Sequence, residues 1–227
     1  MAGKIILVLL TAYLIGSVPV GYLIVRVFKG IDVRSIGSGR VGTTNTVRAA
    51  GPFAGIITAL LDAGKGILVA FIAHLVMPSS VWVKVLAVIL AVVGQIFSIF
   101  LIEKTKLGTL KFHGGAGGAT TLGGAIALWP VSLIVIVPLV LIVYFGIGYA
   151  SLTTISIAFF SLVVFGYNAA MGMGPWEYLT YGFVTLVIVI YSLRPNLERL
   201  KNGTERVVGL RALLQKKGQQ RQGSIIK

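Results

Sequence analysis

Seven apolar runs, separated by short breaks, fill most of this 227-residue chain and leave few ways to fold it. A helix needs about 20 apolar residues to cross a bilayer. Ile5–Phe28, Phe53–Met77, Val81–Ile102, Ser151–Met171 and Trp176–Leu193 each reach roughly that length. The apolar stretch Gly123–Tyr149 is too long for one upright helix and is interrupted by Pro130 and Pro138. With the Gly-rich segment before it, it divides at Trp129-Pro130 into helices over about 115–129 and 130–148. The expected fold is an all-α integral membrane protein of seven transmembrane helices.

Composition agrees. Hydrophobic residues make up 56% and charged residues 11%, with a mean hydropathy of +0.96. Soluble domains carry about 25% charged residues. A soluble enzyme, a disordered chain and a nucleic-acid-binding domain are therefore excluded, and the +14 net charge needs another cause. Its placement supplies one. Segment 26–50 holds five basic residues and one acid, a net of +4. Segment 103–113 holds Lys104, Lys106 and Lys111 against Glu103, a net of +2. Segment 194–227 holds nine against Glu198 and Glu205, a net of +7. Basic loops stay cytoplasmic. Placing all three on one side requires an odd number of spans, with the amino terminus outside and the carboxyl terminus cytoplasmic. Residues 1–205 then form the transmembrane domain, and 206–227 form a basic, flexible cytoplasmic tail attracted to anionic membrane lipids.

There is no cysteine and there are two histidines, so no metal site and no cofactor is expected. The chemistry-bearing residues fall in three clusters. In the first loop, Gly37, Gly39 and Gly42 free the backbone, Ser38, Thr43, Thr44 and Asn45 add short polar groups, and Arg40 and Arg48 add charge. Such a loop either cradles a phosphate or is a flexible polar link between helices. In the second apolar run, Asp62 and Lys65 share a helix face. They mark a functional interior or form a self-neutralised pair that fixes packing. The third cluster, Gly114-Gly-Ala-Gly-Gly-Ala-Thr120, either aims a helix start at an anion or packs tightly against neighbours. Gln95 is placed to bond a neighbouring helix, Ser151, Thr153 and Thr154 open the sixth helix, and Pro195 is expected to end the seventh.

The order Gly37-Ser-Gly-Arg-Val-Gly-Thr-Thr-Asn45 with Arg48, Asp62-Ala-Gly-Lys-Gly66, Gly114–Thr120 and Ser151-Leu152 resembles the PlsY-type acyl-phosphate:glycerol-3-phosphate acyltransferases. The resemblance runs from about residue 5 to 205. It implies an enzyme of the bacterial plasma membrane with a cytoplasm-facing site. That enzyme transfers a fatty acyl group from acyl phosphate to the sn-1 hydroxyl of glycerol 3-phosphate, giving lysophosphatidic acid. It implies no covalent nucleophile, no assigned catalytic residue and no obligate protein partner. The residues it assigns to phosphate and substrate are Gly37, Ser38, Gly39, Thr44, Asn45, Arg48, Asp62, Lys65, Gly114, Gly115, Gly117, Thr120 and Asn196. The sequence departs from the family in three places. Ala116 stands where a lysine is usual, Gln95 where a histidine is usual, and Leu193-Arg194-Pro195-Asn196 replaces a His-Arg-Glu-Asn run. A non-catalytic relative that binds phospholipid or acyl phosphate, and a small transporter of a phosphorylated solute, are the alternatives.

Overall fold

The computed structural model describes residues 1–105 and 108–215. Lys106 of the second basic segment, and 216–227 of the tail, lie outside the described residues.

Each of the seven apolar segments contains a helix, although only some reach a spanning length. The first is broken into α1 (Ala2–Ser17) and α2 (Val20–Lys29) at Pro19, which has no N–H to continue the ladder. After α3 (Thr43–Ala50) come α4 (Pro52–Val76) and α5 (Val81–Ile96). Beyond a hairpin lie α6 (Gly118–Leu128) and α7 (Ser132–Ile142), which widens into a π turn over Val143–Ile147. The chain then forms α8 (Ala150–Ala170), α9 (Glu177–Ser192) and α10 (Arg194–Lys201). Ala2–Lys29, Pro52–Val76 and Ala150–Ala170 are long and apolar enough to cross a membrane. The pair α9 and α10, bent by 62°, makes a fourth candidate. The helices α5, α6 and α7 are shorter apolar elements.

Two expectations need correction. Val81–Ile102 is not one helix. It ends at Ile96, and β1 (Ser98–Lys104) pairs antiparallel with β2 (Leu110–His113), so the fold is mostly rather than wholly α-helical. The seventh helix does end just before Pro195, at Ser192, and Pro195 then sits in the first turn of α10, where its missing N–H costs no bond. The tail is folded further than expected. Val208 is buried and its N–H donates to Gly148 O at 2.8 Å, residues 209–215 are helical, and Arg211 lies over the Tyr149 ring at 4.8 Å.

The helices meet through glycines where side chains would not fit. A Cβ at Gly16 would strike the Ala91 backbone, which brings α1 against α5, and one at Gly123 would strike the Ala63 carbonyl, which brings α6 against α4. Outward faces carry large apolar side chains such as Leu7, Leu60, Phe71, Phe159 and Phe183. That inverts a soluble surface and suits lipid. The three basic segments gather at one end of the bundle. Arg34 pairs with Glu103, Val41 N donates to Gly114 O at 3.2 Å, and Arg40 donates to Ser192 O.

Candidate active site

At that end a chamber of about 520 Å³ opens between the first loop, the start of α6, the start of α8 and the segment after α9. Its shape begins with Asn45. The Asn45 carboxamide is buried and donates through Nδ2 to Val33 O (3.0 Å), Ile36 O (2.8 Å) and Arg40 O (2.9 Å). Its Oδ1 accepts from Ser38 N at 3.2 Å. Gly37, at φ +58°, lies so close to Oδ1 that a Cβ would collide with it. The loop is thus wound around one side chain rather than being a loose link. Asn45 thus has its donors engaged within the loop while it also borders the chamber, and Gly37 and Gly39 shape the loop from behind. Ser38, Arg40, Gly42, Thr43, Thr44, Asn45 and Arg48 are the loop residues on the chamber wall.

The Gly-rich segment divides the same way. Gly114 packs too tightly on the carbonyls of Gln95 and Ile96 to admit a Cβ, and Gly115 N donates to Gln95 O at 2.8 Å. These two residues lie against α5 and not on the wall. Gly117 takes a left-handed φ of +83° and caps α6, which starts at Gly118 rather than near Gly115. Ala116, Gly117, Gly118 and Ala119 face the chamber. Thr120 is fully buried, donating to Asp62 O at 3.0 Å, so it joins α6 to α4.

Asp62 and Lys65 form a closed knot. Lys65 Nζ lies 2.8 Å from Asp62 Oδ1 and also donates to Gln95 Oε1. Gln95 Nε2 donates to Asp62 Oδ2 at 2.9 Å, the interhelical bond expected of it. The remaining ammonium contacts are Gly16 O at 3.3 Å and Val18 O, carbonyls at the break between α1 and α2. Asp62 and Gln95 reach the chamber edge, whereas Lys65 does not line it. Among the described residues, Lys65 therefore reaches the chamber only through its partners Asp62 and Gln95.

The fourth wall was largely missed by sequence reasoning. Asn196, Arg199, Glu205 and Arg206 all line the chamber. The buried Glu205 carboxylate accepts from Asn196 Nδ2 at 2.8 Å and Arg199 Nε at 3.3 Å. Ser151 Oγ is buried on the wall with no hydrogen-bond partner among the described residues. Thr153 and Thr154 do not cap α8; they bond back to Tyr149 O and Ala150 O and face the chamber. No short-range pattern links Arg40 to Glu205, which lie at opposite ends of the chain.

The chamber is electrically lopsided. Four arginines (40, 48, 199 and 206) line it with two carboxylates, and Asp62 is already neutralised by Lys65. The balance is 4 − 1 = +3. Burial lowers the pKa of Arg40 and Arg48, and neighbouring arginines lower both further. Neither guanidinium pairs with a carboxylate among the described residues. The other end is apolar, formed by Ile56, Leu122, Val140, Leu141 and Ile157. A place for anionic oxygens therefore runs into a place for a hydrocarbon chain.

Apolar helices around a cation-lined, one-ended chamber define an integral membrane protein with an amphipathic site. The chain belongs to the glycerol-3-phosphate acyltransferase family, whose model matches residues 6–203. It is 38% identical to glycerol-3-phosphate acyltransferase 2 of Moorella thermoacetica, over 91% of this chain and 99% of that one. It is 41% identical to glycerol-3-phosphate acyltransferase 2 of Thermotoga maritima, over 87% and 93%. It resembles a crystal structure of PlsY, an integral membrane glycerol 3-phosphate acyltransferase, in its glycerol 3-phosphate form. The TM-score is 0.77 at 31% identity, covering 92% of this chain and 98% of that one. The lysophosphatidic acid form of PlsY aligns with a TM-score of 0.73.

Proposed function

We propose that this chain transfers a fatty acyl group from acyl phosphate to the sn-1 hydroxyl of glycerol 3-phosphate. The observation that carries this reading is the single chamber whose arginine-lined end continues into an apolar end. One substrate is a small dianion and the other an anion on a long hydrocarbon, so both need that combination. Arg48, Ser38 and Thr44 hold one phosphate with Gly117 and the start of α6, and Asn196 orients the other from the opposite wall. Gly37, Gly39 and Asn45 fix the loop, and Asp62, Lys65, Gly114, Gly115 and Thr120 brace the helices behind it.

Acyl phosphate is a mixed anhydride and already activated. The sn-1 oxygen attacks the acyl carbon, the bond from that carbon to the phosphate oxygen breaks, and the hydroxyl proton passes to a phosphate oxygen. The protein supplies positioning and stabilisation of the anions. The setting we assign is the bacterial plasma membrane, with seven spans, the amino terminus outside and the chamber facing the cytoplasm. A single cysteine at residue 40 of this cysteine-free chain should then be shielded from impermeant reagents in intact cells.

The direct test is purified protein with acyl phosphate and glycerol 3-phosphate. Lysophosphatidic acid and phosphate should appear in equal amounts. Binding of both substrates without turnover would instead favour the non-catalytic relative.

A further inference from the structure

Ala116, at the approach to α6, packs against the apolar cluster that contains Leu193, just past the end of α9, and both residues line the chamber. Both put apolar side chains on the wall that also carries Arg40, Arg48 and Asn196. The first loop brings Arg40 to the backbone beside both of them. Its Nη1 donates to Gly115 O at 3.3 Å and its Nη2 to Ser192 O. Those carbonyls belong to the residues immediately before Ala116 and Leu193. Arg40 thus carries its charge to both positions at once, from a loop far away in sequence.

Its partners leave that charge available. Both are neutral carbonyls, and a guanidinium has more donors than these two contacts use. Glu205 shares the chamber but spends its carboxylate on Asn196 and Arg199. A cation in a partly desolvated wall, held by neutral dipoles, attracts an anion more strongly than one already paired.

We propose that Arg40 is a substrate-binding cation of this chain, gripping a phosphate dianion in the space that Ala116 and Leu193 leave open. This rests on the acyltransferase reading for the identity of that phosphate, which belongs either to glycerol 3-phosphate or to acyl phosphate. The competing role is a mechanical tie between the first loop and two helices.

The test uses the full chain in detergent with three variants: Arg40→Gln, Arg40→Lys, and Arg40→Gln combined with Ala116→Lys. KM is measured for each substrate separately, and thermal unfolding is followed with and without inorganic phosphate. A glutamine still donates a hydrogen bond but carries no charge. The Arg40→Gln variant should raise KM for one substrate by about tenfold or more and lose the stabilisation by phosphate. The substrate whose KM rises identifies the phosphate. Arg40→Lys should lose less than Arg40→Gln, and Ala116→Lys should bring KM back to within about threefold of the parent. A folded Arg40→Gln protein with both KM values and the phosphate response within about twofold of the parent overturns the proposal. So does a loss that Arg40→Lys shares equally and Ala116→Lys leaves unchanged, because that is how a mechanical tie behaves. If the parent shows no turnover, the acyltransferase reading fails, while the phosphate response still decides the role of Arg40. A parent that shows neither turnover nor a phosphate response overturns both.

Discussion

Around Asp62 the charges are paired with each other; earlier in the chain, around Arg40 and Arg48, they face a chamber. The knot of Asp62, Lys65 and Gln95 is buried, and its ammonium is surrounded by a carboxylate, an amide oxygen and two backbone carbonyls. The chamber wall has spare cationic charge and polar atoms with no hydrogen-bond partner among the described residues, including Ser151 Oγ and Asn196 Oδ1. Both sites would be flagged by the same rule, that charge inside a membrane protein marks function. What separates them is satisfaction. A closed network holds helices in register, whereas an open one is complementary to something that must arrive.

The sharpest way to break the comparison is to open the closed network. Asp62→Ala leaves Lys65 buried without its carboxylate. Losing one member of a buried pair costs about 3–5 kcal/mol. The variant should give a poor yield and a much lower Tm in detergent. Replacing both partners, Asp62→Leu with Lys65→Met, should recover much of that stability, since no charge is left stranded. If Asp62→Ala keeps its Tm and loses only activity, the knot belongs to the active site instead.

In the open network the pattern should reverse. Arg48→Ala removes a guanidinium on an exposed residue that makes no ion pair among the described residues, so Tm should change little. A charge-assisted contact is worth about 1.5–3 kcal/mol, so KM for a phosphate substrate should rise by roughly ten- to a hundredfold. The exposed Arg26, bonded to Gly30 O at 2.9 Å, is the control, and Arg26→Ala should leave KM unchanged. Equal effects from both would mean that the first loop supplies only diffuse positive charge.

A smaller change tunes the same wall. Glu205→Gln keeps an oxygen for Asn196 and removes the one lining carboxylate that Lys65 does not neutralise. The chamber becomes more positive by one charge. At an effective dielectric near that of a protein surface this is worth on the order of 1 kcal/mol to an incoming anion. KM should fall by about three- to fivefold. A rise in KM would show that placing Asn196 and Arg199 matters more than the field.

How much of this could be read from the sequence follows the same division between local and distant. Helix length is local, and an apolar run of sufficient length announces itself, as Pro52–Val76 and Ala150–Ala170 do. The hairpin did not, because Ser98–Ile102 continues the apolar run of α5, and apolar content alone does not separate strand from helix. The Gly37–Arg48 motif pointed to the correct loop, but not to which of its polar groups face inward and which bind the loop together. Asn45 looked like a donor for ligand because its four partners are backbone atoms, which composition does not display. Arg199, Glu205 and Arg206 looked like part of a basic end segment, because their relation to Arg48 exists only once the chain has folded back.

A partly exposed ion pair outside the chamber completes the comparison. Asp32 caps the short turn Val33–Ser35 by accepting Arg34 N at 2.9 Å, and its carboxylate pairs with the Arg34 guanidinium at 2.7 Å. Asp32→Asn keeps the capping oxygen and loses the charge. Solvent screens such a pair, so the cost should be below about 1 kcal/mol, the smallest effect predicted. Its pH dependence gives the sign. The Arg34 side chain, bonded to the carboxylate, holds the Asp32 pKa below its ordinary value, against a small opposing effect of burial. A depressed carboxyl pKa stabilises the folded form fully above the unfolded value, about 3.9, and the gain is lost as pH falls through the folded value. The Tm difference between the parent and Asp32→Asn should therefore be constant near neutrality and vanish in acid. It should also shrink at high salt. A difference that persists unchanged at low pH would mean that the asparagine disturbs the cap itself, and that the ion pair contributes nothing.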